Sequence, residues 1–243
     1  MKNKLRTVKR TLLFLGLTLI TGLNVTGQIT EKNYKIYSVK AGKEVTLKDI
    51  AADMQQYDVL FYGEEHNDSV THYLEHKMLE SLFATFGNKT AVSMEMFDRD
   101  VQPVMNEYLT AGIREKNFKK DARVWSNYND YKPMVEFAKT NKLDVVCANA
   151  AGRYSNLAGR KGQKALMALP AESKKNFAPL PYDTASGKYY EKLVMLTSHE
   201  TAPPTALPAV ADTTVKTVPA VAPMGMGGFN LIMGQSLWDA TMA

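Results

Sequence analysis

The chain has 243 residues, of which 45% are hydrophobic and 23% charged, with 15 Gly and 10 Pro. This is the composition of a globular protein and excludes collagen-like, coiled-coil and disordered classes. One Cys excludes an internal disulfide framework and any thiolate zinc site, so metal chemistry here must use His, carboxylates or Tyr. The formal charge of +5 suggests a polyanionic partner only until the charges are located. Residues 1–27 hold Lys2, Lys4, Arg6, Lys9 and Arg10 and no acidic residue, and the rest of the chain is neutral. Nucleic acid is therefore not an expected partner.

Behind that basic head, Thr11 to Leu23 form an apolar run of about a dozen residues, short of the roughly 20 that span a bilayer. Small and polar residues follow. Residues 1–27 are expected to be a secretory signal peptide cleaved after Gly27, which places the mature chain in an exported compartment, periplasmic or associated with the outer membrane. No Cys follows the run to accept a lipid, and the lone Cys147 fits a buried apolar thiol.

A domain is expected over residues 31–243. Thr46 and Asp49 mark the start of a short helix running to Gln56. DVLFYG, Asp58 to Gly63, reads as a buried strand; Asp68 to Phe86 reads as a helix stopped by Gly87. TAVSMEMF, Thr90 to Phe97, is the next expected strand, followed by a helix capped by Asp98 or Asp100 and reaching Thr110. After a Lys-rich connector, Tyr131 to Asn141 reads as a helix and LDVVCANA, Leu143 to Ala150, as a third strand. Strands alternating with helices predict an α/β fold, a mostly parallel central sheet flanked by helices.

From Arg153 to His199 the composition is helical, with breaks at Pro170, Pro179, Pro181 and Gly187. Residues 201–228 carry five prolines, no aromatic residue and almost no charge, and read as a flexible Pro/Ala/Thr-rich insertion. FNLIMGQSLWDATMA, to the last residue, reads as an amphipathic helix.

In an open parallel sheet, ligands bind beyond the carboxyl ends of the strands. Those ends deliver Glu64, Glu65 and His66 after the first strand, Glu95 on the second and Asn149 on the third. Glu64, His66 and Glu95 have the chemistry to hold a divalent metal ion or to act as general acid and base; the alternative is that the carboxylates only fix loops and cap helices. His72, Glu75 and His76 formally match the H-x-x-E-H pattern of one class of zinc peptidase, but the pattern is short, and such His residues are more often half-buried helix positions. Trp125, Tyr128 and Tyr131 form an aromatic cluster, read either as packing or as a source of phenolate for iron.

The segments DVLFYGEEHND, AVSMEMF, YLTAG, WSNYNDYKPM, VVCANAAGR and QSLWDATMA, taken in this order, resemble the ChaN-like haem-binding uptake proteins, relatives of the Tiki and erythromycin-esterase superfamily. The resemblance covers roughly Tyr57 to Arg153 and Phe229 to Ala243. It implies an exported protein that binds haem as cofactor, holds its iron through a Tyr and assists iron uptake beside an outer-membrane haem receptor. It also implies a homodimer around stacked haems. Tyr128 and Tyr131 lie in a matching block and are the candidate ligands, with His76 as an outer contact. In the wider superfamily, Gly63 to His66 and the strand-end Glu95 contribute to a metal-dependent hydrolytic site, which keeps a hydrolase using Glu64, His66 and Glu95 as the alternative function. The family also carries a lipid-acceptor Cys, which this chain lacks, and a further strand with a second His-bearing loop beyond the DATMA block, before which the sequence stops at Ala243.

Overall fold

A computed structural model describes residues 29–199 and 230–243. The expected signal peptide and insertion lie outside these described residues. The chain divides into two units, Met1–Lys35 and Ile36–Ala243. In the first, the described element is a 3-10 turn, Glu31–Asn33, closed by a reciprocal cap between Thr30 and Asn33.

The second unit opens with an antiparallel hairpin of β1 (Ile36–Ser38) and β2 (Lys43–Val45), which the sequence reading did not anticipate. Helix α1 (Leu47–Asp53) starts where expected: Thr46 accepts from the Asp49 amide while the Asp49 carboxylate accepts from the Thr46 amide at 2.7 Å. Helix α2 (Ser69–Phe86) likewise has its expected ends. Asp68 caps the amides of Val70 and Thr71, and Gly87 at φ 57° closes the last turn.

β3 (Ala91–Asp98) and β4 (Asp144–Asn149) pair in parallel, with a bulge between Met94 and Asp98. The bulge shifts the phase of alternation, so Met94 and Phe97 both reach the core. Between the strands run α3 (Gln102–Leu109), α4 (Glu115–Asp121) and α5 (Tyr128–Asn141). After β4 come α6 (Gly152–Lys161), α7 (Gln163–Met167), α8 (Ala171–Lys174) and α9 (Gly187–His199), with α10 (Leu231–Met242) beyond the undescribed segment. The fold is mixed α/β with a parallel sheet flanked by helices, as expected, although the sheet is small.

Three local expectations are corrected. Residues Asp58–Gly63 are extended but form no strand: no ladder bond joins them to β3 or β4, and Val59 and Phe61 stand 63% and 81% exposed. An apolar run has strand propensity, but without a partner for its backbone groups it has no ladder. Neither Asp98 nor Asp100 caps α3, which follows Val101 without a side-chain cap and carries Pro103 in its first turn. Asp98 pairs with Arg123, and Asp100 with Arg123 and Arg153. The Lys-rich connector contains α4, held because Phe118 buries completely and stacks on Tyr108 at 4.3 Å.

One core cluster lies between the strands and helices α2 to α5, centred on Met94, Phe97, Met105, Phe118, Tyr131 and Val135. Each such side chain contributes about 1.5–3 kcal/mol by leaving water. The second cluster joins α6 and α7 to α10 through Tyr154, Ala158, Leu166, Phe177 and Leu237. Buried hydroxyls fix α10 in place: Thr241 accepts from the Ala178 amide at 3.0 Å and Ser236 from the Ala185 amide at 2.9 Å. The Trp238 indole donates to the Ala150 carbonyl at 2.9 Å, which brings α10 to the carboxyl end of β4. Cys147 is buried on β4, its thiol pushed up to about 12 by burial.

Candidate functional site

A cavity of about 730 Å³ opens at the carboxyl ends of β3 and β4. Its walls come from four places: Tyr62, Gly63, Glu64 and His66 from the extended segment and its loop, Glu95 and Asp98 from β3, Asn149 at the end of β4 with Ala150 just after it, and Gln235 and Trp238 from α10, with Trp125 at the side. Glu64, His66 and Glu95, singled out from sequence, therefore face one space. The His66 ring contacts the Glu64 carboxylate and meets Trp125 edge-on at 5.6 Å. Glu95 is held above the usual carboxylate range, chiefly by burial, and the neighbouring Glu64 adds to the effect.

Glu64 links the cavity to the interior. Its Oε1 accepts from the Tyr131 hydroxyl at 2.8 Å as well as contacting His66. Its Oε2 is buried, 3.5 Å from Nδ1 of His72. His72 in turn lies 3.2 Å from the Glu75 carboxylate, and its Nε2 lies 3.0 Å from the His66 carbonyl. Burial pushes the Glu64 carboxyl up, but hydrogen bonds with Glu75, Tyr131 and His66 bring it below its ordinary value. Glu75 moves the other way, up to about 7, because of burial and then of Glu64 beside it. Burial opposes a charge on His72, yet the His66 carbonyl and the Glu75 and Glu64 carboxylates together raise its pKa. Among the described residues, Glu64, His72 and Glu75 are the group whose donor atoms all lie within 4.8 Å of one another. His66 and Glu95 do not belong to it.

The three residues proposed as haem contacts are not brought together. Tyr131 is fully buried behind Glu64, its ring edge-on to His72 at 4.9 Å. Burial and Glu64 both push its phenol up. Tyr128 is buried one turn earlier on α5, packed near Phe118, with its hydroxyl lacking a hydrogen-bond partner. His76 sits one turn beyond His72, against Phe137 and 3.5 Å from Glu80, and burial lowers its pKa. None of the three lines the cavity.

Sequence reasoning underrated His72 and Glu75 and missed Tyr62. The first two were visible as part of H-x-x-E-H, but helical periodicity does not tell which loop covers the helix. Tyr62, on the cavity wall, lay within a run read as a buried strand. Its phenol is pushed up to about 12 by burial and by Glu75, Asp68 and Glu64.

A sequence model of the family described as haem-binding uptake, Tiki superfamily, ChaN matches residues 50–243. Among solved structures, one of ChaN of Campylobacter jejuni, described as showing cofacial heme binding, is similar with a TM-score of 0.50 and 14% identity. The match covers 70% of this chain and 64% of that one, so this chain spans less than two thirds of that protein's length, and the likeness is one of fold. No curated protein sequence matches.

Proposed function

This chain belongs to the ChaN family of haem-binding uptake proteins in the Tiki superfamily, and on that premise we propose that it is an exported haem carrier that binds its ligand at the cavity beyond β3 and β4. The observation that carries this reading is the pairing of that cavity with an uncovered apolar run. The volume falls within the roughly 300–1,000 Å³ typical of small-molecule sites. Val59 and Phe61, which lead into the cavity wall, have no protein cover over most of their surface, and Leu60 between them is partly exposed. Exposed apolar groups beside a polar cavity suit a porphyrin, whose faces are apolar and whose edge carries carboxylates.

Ferric haem iron accepts a tyrosine ligand. Tyr128 and Tyr131 are closed off from solvent, and the Tyr131 hydroxyl is engaged by Glu64, whereas Tyr62 is 41% exposed on the cavity wall. We therefore assign the iron ligand to Tyr62, and give Tyr131 the role of orienting Glu64 behind it. The basic, apolar leader directs export, an outer-membrane haem receptor is the partner, and two copies enclose stacked haems.

A haem titration of the mature protein followed by the Soret band tests the assignment. Saturation near one haem per chain is expected, with Tyr62→Phe losing the tyrosinate-type spectrum. Phe61→Ser is expected to weaken binding by roughly ten- to a hundredfold, the worth of one buried aromatic ring. A spectrum unchanged in Tyr62→Phe but lost in Tyr128→Phe or Tyr131→Phe moves the ligand to that residue; no saturable Soret shift in the parent protein ends the haem reading.

A further inference from the structure

We infer that the exposed face of α6 and α7 is a docking surface for an anionic lipid bilayer. From Val145 to Ala171 the chain holds Arg153, Arg160, Lys161 and Lys164 and no acidic residue, although the chain beyond residue 27 is neutral as a whole. Helix α6 is two-sided: Tyr154, Ser155, Ala158 and Gly159 are buried, while Arg153, Asn156, Arg160 and Lys161 are exposed. At about 100° per residue the two sets fall on opposite sides, so the basic residues form one outward stripe. Gly162, at φ 70°, turns the chain into α7, where Leu166 is buried and Lys164 and Met167 stand exposed on one face.

The charge on this face is not consumed within the chain. Arg153 pairs with Asp100 at 2.7 Å, and Glu172, the next acid along the chain, is taken by Lys175 at 2.8 Å. Arg160 donates to the neutral Asn156 at 2.8 Å. Among the described residues, no ion pair joins Arg160, Lys161 or Lys164 to a carboxylate. Asp183, brought near α7 by the hydrogen bonds between Tyr182 and Gln163, offsets one charge and leaves the face positive. The make-up of the face then selects among anionic partners. Protein interfaces centre on aromatic residues and are poor in Lys; this stripe has Lys and Arg on the outside of two helices, and its one aromatic side chain, Tyr154, is buried. A headgroup layer needs neither a pocket nor an aromatic anchor. Long, flexible cations bind it by summed attraction, about fivefold for each Lys or Arg, and Met167 among them offers an apolar side chain to the headgroup boundary.

The surface does not depend on the haem reading, so haem-free protein provides the test; the mature chain is used because the basic, apolar leader would itself bind anionic lipid. Vesicles of equal parts phosphatidylglycerol and phosphatidylcholine are expected to sediment the protein, and vesicles of phosphatidylcholine alone are not. Binding is expected to fade as sodium chloride rises from about 0.05 to about 0.5 M. Arg160→Glu with Lys164→Glu is expected to weaken it by roughly a hundredfold or more, and Lys161→Gln, a milder change, by about fivefold. Lys116→Glu with Lys120→Glu, the same charge change at exposed positions of α4, is expected to leave it nearly unchanged. Equal binding to both kinds of vesicle, or equal losses in the α4 and α6–α7 variants, overturns the assignment. Failure to sediment with either vesicle overturns it too; if soluble polyglutamate then retards the parent in gel filtration but not the Arg160→Glu, Lys164→Glu variant, the face belongs to an acidic protein partner.

Discussion

Residues Asp58–Gly63 and Ala91–Asp98 are both short apolar runs containing a phenylalanine, and both lead a glutamate into the same cavity. In the second, Phe97 is 1% exposed and the backbone pairs with β4; in the first, Phe61 is 81% exposed and the backbone has no ladder. Composition does not separate them. What separates them is cover: β3 has β4 on one edge and helices α2 to α5 over its core-facing side chains, whereas Val59 and Phe61 have solvent. A fold that leaves such a run open beside a cavity has placed apolar surface where a ligand can use it.

Truncating the two phenylalanines gives the widest contrast. Phe97→Ala empties a packed interior and is expected to cost about 3–5 kcal/mol. Phe61→Ala in the haem-free protein is expected to stay within about 0.5 kcal/mol. Urea unfolding of both variants checks this, and a comparable loss for Phe61→Ala would mean that the run is packed in solution.

The polar ends of the two runs also differ, since Glu64 is tied into the interior and Glu95 is not. Tyr131→Phe removes the hydroxyl that donates to Glu64 Oε1. Hydrogen bonds to charged groups contribute about 1.5–3 kcal/mol, so a loss of that size is expected by thermal or urea unfolding. Among the described residues Glu95 has no such donor, and Glu95→Gln, which removes a carboxylate already disfavoured by burial, is expected to be neutral or stabilising.

The legible parts of the fold were those fixed by neighbours in the chain. Thr46 with Asp49, and Asp68 with Gly87, set helix ends through bonds spanning two to four residues, and sequence reading found all of them. The six ordered blocks likewise identified the family. The strand at 58–63 was misplaced because a ladder depends on a partner far along the chain. Helix α4 was hidden because its lysines advertise solvent, while a single residue, Phe118, anchors it. At the site, Glu64, His66 and Glu95 were legible from strand-end logic. The close partners of Glu64 were not: His72 and Glu75 seemed to be ordinary helix positions until the loop carrying Glu64 was seen to fold over them.

The smallest expected effect lies at the carboxyl end of β3, where an ion network closes the strand and the 58–63 run has no counterpart. Asp100 pairs with Arg153 at 2.7 Å and also with Arg123, so the strand end, the segment before α5 and the start of α6 share one charge cluster. Burial alone would push the Asp100 carboxyl up, but Arg153 and Arg123 hold it below its ordinary value. A carboxyl whose folded pKa is depressed stabilises the fold above its unfolded pKa, near 3.9, and loses that contribution as pH falls through the lower folded value. Both arginines are about half exposed, so solvent screening limits the effect to about 1 kcal/mol or less. Asp100→Asn should therefore lower stability slightly at neutral pH and flatten its decline below about pH 4. Unfolding midpoints measured from pH 3 to 7 with and without added salt check both parts. A parallel decline in the variant would mean that the network contributes nothing to acid lability and that β3 is held by its core side chains and β4 alone.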